Sequence, residues 1–297
     1  MTSLTRLARA KINLTLDVGV RRSDGYHDIR SVMQTLALHD TLTVTRTMNV
    51  PGVRLEVTGD EARGVPADES NLVHRAAVRL QKIAAARGSI PGSHSGLHIL
   101  LHKRIPSQAG LGGGSSDAAA TLLAVNGLLG LALPHARLAE IGATLGADVP
   151  FFLTGGTALV EGLGERVTPL PPLTPDRPLV IVKPPLGIPT AAAYAALDAL
   201  PDRVPGQATA AWLRGERQMS NDFEAVVFPN YPEVAAAHAL LHQTDQTLRS
   251  FSALLCGSGA AVFCAVPTEA AARELAERAR ALDIGRVWVT TTQGAGE

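Results

Sequence analysis

From Ile12 onward the chain alternates with period two. Ile12, Leu14, Leu16, Val18 and Val20 form an apolar row, with Asn13, Thr15, Asp17 and Gly19 between them and Lys11 just before. This predicts a strand that turns Lys11 and Asn13 away from its apolar face. A solvated surface strand has the same pattern, so alternation alone assigns Lys11 no role. Arg21-Arg22-Ser23-Asp24-Gly25 predicts a hairpin turn, with Tyr26 and His27 at its exit. Strands are expected at 41–47 and 53–58, and a polar loop at 60–68. Leu72, Ala76, Val78, Leu80 and Ile83 predict a helix over 71–86, capped by Ser70. A Gly/Ser/Pro-rich loop is expected at 87–96, then a strand over 97–104.

The second half continues the pattern. The apolar run 118–133 predicts a buried helix, and Pro134 opens another that ends near Gly146. A strand is expected at 157–161. Residues 168–178 hold five of the nineteen prolines, which places an inter-domain linker there. Beyond it come a buried strand at 179–182 and a helix from 190 to 200 carrying Tyr194. Helices are expected at 221–228 and 232–242. A glycine turn at Gly257-Ser258-Gly259 enters a strand at 260–266, with a helix over 268–282 and a last strand over 286–291. Strand, helix and strand at that spacing suggest a ferredoxin-like half.

Between two of these elements lies Pro106-Ser107-Gln108-Ala109-Gly110-Leu111-Gly112-Gly113-Gly114-Ser115-Ser116-Asp117-Ala118. The glycines Gly110, Gly112, Gly113 and Gly114 let backbone take φ > 0 and approach a ligand. Ser115, Ser116 and Asp117 are N-cap residue types standing before good helix formers. Strand, glycine loop and helix N-terminus form an anion site, because free N–H groups and the helix dipole converge there. No lysine follows as in a Walker A loop, and the Rossmann spacing puts Ser115 where a third Gly or Ala belongs. A flexible linker is the alternative, but caps and an apolar helix do not follow a linker at once.

Composition narrows the class. The 297 residues are 46% hydrophobic and 18% charged, as in a globular protein of one large or two medium domains. Lys+Arg and Asp+Glu are both 27, so the formal net charge is zero. That argues against general nucleic-acid or membrane-surface binding. Neither the N-terminus nor the run 118–133, interrupted by Asn126, Gly127 and Gly130, suits a signal peptide or a membrane span, so the cytoplasm is expected. Cys256 and Cys264 read as core residues of a reducing compartment. His238 and His242 lack the glutamate of a His-Glu-x-x-His site, and His98 and His102 share a strand face, so no metal centre is read from the histidines. Asp148 sits between a helix end and Val149-Pro150-Phe151-Phe152, either as a partnered carboxylate or as a turn aspartate.

The glycine stretch resembles the ATP loop of the galactokinase, homoserine kinase, mevalonate kinase and phosphomevalonate kinase (GHMP) superfamily. Ala10-Lys11-Ile12-Asn13-Leu14, Asp24-Gly25-Tyr26-His27, Leu145-Gly146-Ala147-Asp148-Val149-Pro150 and Gly187-Ile188-Pro189-Thr190 extend the resemblance from Lys11 to about Val266. Within the superfamily, Asp24-Gly25-Tyr26-His27 is similar to the branch acting on cytidyl-diphospho-methylerythritol. The resemblance implies an α+β, two-domain GHMP kinase fold. Residues 1–165 would form a ribosomal-protein-S5-domain-2-like ATP-binding domain and 166–297 a ferredoxin-like substrate domain. It implies ATP and Mg2+ as cofactors, with no metal ligands assigned, and a small-molecule substrate phosphorylated on its 2-hydroxyl.

The resemblance also implies site residues. Lys11 and Asp148 match the catalytic pair, Asp148 orienting or accepting the hydroxyl proton and Lys11 steadying the incoming oxygen. Pro106 through Ser116 would hold the phosphates, with Asn71, Leu72 and Lys103 near the adenine. Tyr26, His27 and Tyr194 would grip the cytosine, and Asn13, Thr190 and Asp148 the rest of the substrate. Some relatives carry phenylalanine where this chain has Tyr194; a tyrosine face stacks equally well. Gly257-Ser258-Gly259 resembles the superfamily's third motif. Rival expectations are a homoserine, mevalonate or sugar kinase, and a nucleotide-binding regulator that has lost catalysis.

Overall fold

The computed structural model describes residues 2–48, 50–87, 95–174, 176–248 and 253–294. Its strands are β1 (Ser3–Arg21), β2 (His27–Met48), β3 (Gly52–Thr58), β4 (Ser95–His102), β5 (Thr157–Gly162), β6 (Arg166–Pro169), β7 (Pro178–Lys183), β8 (Ser220–Asn221), β9 (Leu254–Leu255), β10 (Val262–Ala265) and β11 (Arg286–Thr291). The helices are α1 (Leu72–Ala86), α2 (Gly113–Leu128), α3 (His135–Ala143), α4 (Val149–Thr154), α5 (Thr190–Asp198), α6 (Ala208–Leu213), α7 (Glu224–Asn230), α8 (Pro232–Leu248) and α9 (Glu269–Ala281).

Contacts divide the chain into two compact units, and the division is interleaved rather than a single cut near 165. The first unit holds Met1–Ala10, Leu38–Ser107 and Gly112–Thr154; the second holds Lys11–Ala37, Gln108–Leu111 and Gly155–Glu297. β1 and β2 are long enough to contribute to both. Lys11 therefore belongs with the C-terminal half of the sequence.

In the first unit β4 pairs antiparallel with the end of β2 (Thr41↔His102) and parallel with β3 (Leu55↔Ile99). Period two sends Leu42, Val44, Leu97, Ile99 and Leu101 to one face. There they meet Val73, Ala76 and Leu80 of α1 and Leu122 and Val125 of α2 in one buried cluster. The predicted cap of α1 shifts by one residue. Asn71, not Ser70, caps it, accepting from the Val73 amide at 2.9 Å while its own amide donates to Pro66 O at 2.7 Å. The expected loop at 87–96 falls mostly outside the described residues.

In the second unit β1 pairs parallel with β8 (Thr15↔Ser220), and the start of β2 pairs with β5 (Ile29↔Gly162). A separate antiparallel sheet has the order β11-β7-β10-β9, as a ferredoxin-like half requires. Val180, Val182, Val262 and Cys264 on one face of that sheet pack with Leu197, Val227, Val234 and Leu275 from the helices. The helix expected over 221–228 is shorter, because Asn221 is taken up in β8. Its side chain donates to Leu255 O at 2.9 Å and Gly257 O at 2.7 Å, so α7 begins only at Glu224. α6 was not anticipated; its alanines carry no turn or cap signal. No helix among the described residues is long and apolar enough to cross a membrane.

Candidate active site

The glycine stretch divides between the two units. On the first side Gly112, at φ 71°, is the N-cap of α2, and the Ser116 amide already donates to Gly112 O at 2.9 Å. Gly113 to Ser116 are thus the first helical turn. This corrects two expectations. Ser115, Ser116 and Asp117 are not caps, and Gly113 and Gly114 do not take positive φ. The amides of Gly113, Gly114 and Ser115 are the first-turn donors that a helix cannot satisfy internally, so they remain for an anion. The adenine candidate Leu72 comes close to this turn: its Cδ1 would lie 3.9 Å from a methyl on Gly114. Asp148 sits half-buried before α4, and its carbonyl accepts from the Phe152 amide at 3.3 Å.

Beneath that turn lies a buried ion-pair group built on Lys103, whose pairing with two carboxylates the sequence did not show. Lys103 is buried and pairs with Asp117 Oδ2 at 2.7 Å and with Asp40. Asp40 Oδ1 also accepts from the backbone of Arg104 and, at 2.9 Å, of Ile105, which ties β2 to the chain leading into the glycines. One ammonium serves two carboxylates. Burial, aided by Asp40 and opposed by Lys103, pushes the Asp117 carboxyl up to about 7. Burial alone would lower Lys103, but Asp117 and Asp40 outweigh it and hold the ammonium above its usual value. The structure therefore places Lys103 as a cross-brace between Asp40 of β2 and Asp117 in the first turns of α2. Its Nζ would lie 3.4 Å from a methyl on Gly113.

On the second side stands Lys11, only 4% exposed. Its amide donates to Leu111 O at 3.0 Å and its ammonium to Asn13 Oδ1 at 2.7 Å. Asn13 Nδ2 in turn donates to Ser31 Oγ at 2.8 Å. These bonds fix the Asn13 amide with its oxygen toward the lysine. Gln108 to Leu111 lie against the third motif. The Ala260 and Ala261 amides donate to Gln108 O at 3.2 Å and Ala109 O at 3.3 Å. Gly110 has φ 75°, and a methyl on it would stand 1.7 Å from Cys256 O. Gly110 thus serves close packing of two backbones rather than approach to a ligand. Thr190 Oγ1 and Ser258 Oγ are 3.1 Å apart, which joins the expected substrate threonine to the same motif.

The base-binding candidates form a second group in this unit. The His27 and Tyr194 rings stack with centroids 5.0 Å apart and planes at 29°, and Tyr194 meets Phe223 edge-on at 4.9 Å. His27 is buried, with Nδ1 3.0 Å from Gly19 O and Nε2 3.2 Å from Asp198. Tyr26 is 62% exposed on the hairpin turn, where Asp24 Oδ1 accepts from its amide at 3.1 Å. Asp198, eight residues beyond Thr190 at the end of α5, is a residue that local pattern did not single out.

Residues 71–156 match the GHMP kinases N terminal domain and residues 208–284 the GHMP kinases C terminal domain. The chain belongs to the GHMP kinase family. Among its relatives it is similar to the 4-diphosphocytidyl-2-C-methyl-D-erythritol kinase of Moorella thermoacetica. The two are 45% identical, over 94% of this chain and 95% of that protein. The enzyme of the same name from Geobacter sulfurreducens is 42% identical over 95% and 96%. A crystal structure of 4-(cytidine 5'-diphospho)-2C-methyl-D-erythritol kinase, 37% identical, superposes with a TM-score of 0.76 over 99% of this chain and all of that one. The homoserine kinase of Cytophaga hutchinsonii shares the fold, with a TM-score of 0.68 at 20% identity.

Proposed function

We propose that this chain transfers the γ-phosphate of ATP to the 2-hydroxyl of 4-diphosphocytidyl-2-C-methyl-D-erythritol, releasing ADP and the 2-phosphate. The observation that carries the substrate reading is the His27–Tyr194 stack beside Tyr26, an aromatic and histidine group suited to a nucleobase face and edge. Lys11, held by Asn13 and the Leu111 carbonyl, offers its positive charge to the acceptor oxygen as the bond to phosphorus forms. Asp148 orients the hydroxyl and takes its proton. The free amides of the α2 first turn hold the phosphates and stabilise charge that spreads over their oxygens in a loose transition state. The hydroxyl of Ser115, or of the more buried Ser116, is an oxygen donor that suits a hard cation. Together with the nucleotide phosphates it would hold Mg2+, which neutralises phosphate charge.

ADP release measured in parallel with the cytidyl-methylerythritol substrate, homoserine, mevalonate and galactose tests the reading. Turnover of a rival alcohol without turnover of the first overturns it. Asp148→Asn is expected to lower kcat by about 10²–10⁴-fold with little change in acceptor KM. A variant retaining near-normal kcat removes Asp148 from the proton-accepting role.

A further inference from the structure

The segment Asn221-Asp222-Phe223-Glu224 runs from β8 into α7, and each of its residues reaches a different part of the second unit. β8 lies parallel to β1 with Asn221 opposite Leu16, and the Asp222 amide donates to Leu16 O at 3.0 Å. Asp222 Oδ2 accepts from the amides of Val18 at 2.8 Å and Gly206 at 3.0 Å. Phe223 stands edge-on to Tyr194. Asn221 and Glu224 turn to the chain that forms the third motif. Glu224 Oε1 accepts from the Leu255 amide at 2.9 Å, while Asn221 Nδ2 donates to Leu255 O at 2.9 Å and Gly257 O at 2.7 Å. Asn221, only 2% exposed, thus spends both amide N–H donors on one backbone turn and its oxygen on the Phe223 amide at 3.0 Å.

That turn is the bed on which Lys11 rests. A methyl on Gly257 would stand 3.4 Å from Lys11 Nζ and 3.1 Å from Gly110 O. Just beyond it the Ala260 and Ala261 amides hold Gln108 O and Ala109 O, and Leu111 O holds the Lys11 amide. Lys11, Gln108–Leu111 and residues 255–261 therefore form one backbone mesh, which Asn221 fastens to α7. We propose that Asn221 is a positioning residue for Lys11. A buried carbonyl stripped of its donor is costly and turns toward another. For Gly257 the ammonium beside it is at hand, so loss of the Asn221 amide draws Lys11 off its line to the acceptor oxygen. The hold on the turn stands by itself; its effect on turnover rests on the kinase reading.

Three variants of the full chain test this. Asn221→Ser keeps an acceptor for the Phe223 amide and removes the two-pronged donor. Asn221→Asp keeps shape and acceptor but offers no donor. Val226→Ala, a core truncation in the same helix, controls for lost stability. Amide exchange at Lys11, Ala260 and Ala261 is measured against the amides of β7 and β10, which report opening of the unit as a whole. It is expected to be at least about tenfold faster in Asn221→Ser and unchanged in Val226→Ala. With the cytidyl-methylerythritol substrate, kcat per folded molecule is expected to fall at least about tenfold in Asn221→Ser and further in Asn221→Asp. Both KM values stay within about twofold, because Lys11 acts as the bond to phosphorus forms. Unchanged exchange in Asn221→Ser, wild-type kcat in either Asn221 variant, or an equal kcat loss in Val226→Ala overturns the proposal. If the wild-type chain turns over no acceptor, the kinase reading falls and the exchange rates alone decide the hold.

Discussion

Lys103 is one cation with two carboxylates to neutralise, and that imbalance governs what its replacement does. Lys103→Met would leave Asp40 and Asp117 buried with no counter-ion. The expected loss is about 3–5 kcal/mol of stability, read as a lower urea midpoint at constant slope. A variant as stable as the wild type would mean that the ammonium contributes nothing to the fold. Asp117 was legible only as a cap-type residue before a helix. Its role as a buried ion-pair partner required β2 and β4 to be laid side by side, since Asp40 and Lys103 are 63 positions apart. Lys11 shows the converse. Its face of the strand was readable from alternation, but its burial and its bond to Asn13 were not.

At the scale of elements, the glycine stretch holds two kinds of glycine that look alike in sequence. Gly110→Ala would drive a methyl into the Cys256 carbonyl at positive φ, and a loss of at least about 3 kcal/mol is expected in urea titrations. Gly114→Ala sits in a helical turn with only Leu72 Cδ1 at 3.9 Å. It is expected to raise stability by about 0.5–1 kcal/mol while raising the KM for ATP, because in the proposed reading the phosphates would approach this methyl. Unchanged ATP kinetics in that variant would move the phosphates away from this turn.

The junction of α7 with β9 carries a pH dependence. Burial pushes Glu224 up to about 7, although its bond from the Leu255 amide at 2.9 Å pulls the other way. A carboxyl raised on folding binds its proton more tightly in the native state. Its stabilising contribution is full below about 4.5 and is lost as pH rises through about 7. Glu224→Gln keeps an acceptor for Leu255 and removes the ionisation. It should therefore gain up to roughly 3 kcal/mol over the wild type at pH 8 and little at pH 4. Equal Tm differences at both pH values would contradict this.

For the whole molecule, 27 positive and 27 negative side chains leave no net charge near pH 7.1. Self-repulsion is then weakest, so a solubility minimum near pH 7 is expected in precipitation curves, with solubility rising toward pH 9. A flat curve would place the effective charge elsewhere.

Most of the longer strands and helices, the glycine-rich start of α2 and the aromatic-histidine pair after the hairpin were written in local pattern, while α6 and the short β8 were not. Alternation, cap chemistry and glycine spacing act over a few residues and need no partner. Tertiary structure decided what depends on distant chain segments meeting. It set which glycines are strained, which acid neutralises Lys103, which residue cradles His27, and that Lys11 counts with the C-terminal half. Burial and ion pairing are properties of neighbours in space, and a single strand's periodicity names only the face on which those neighbours will be found.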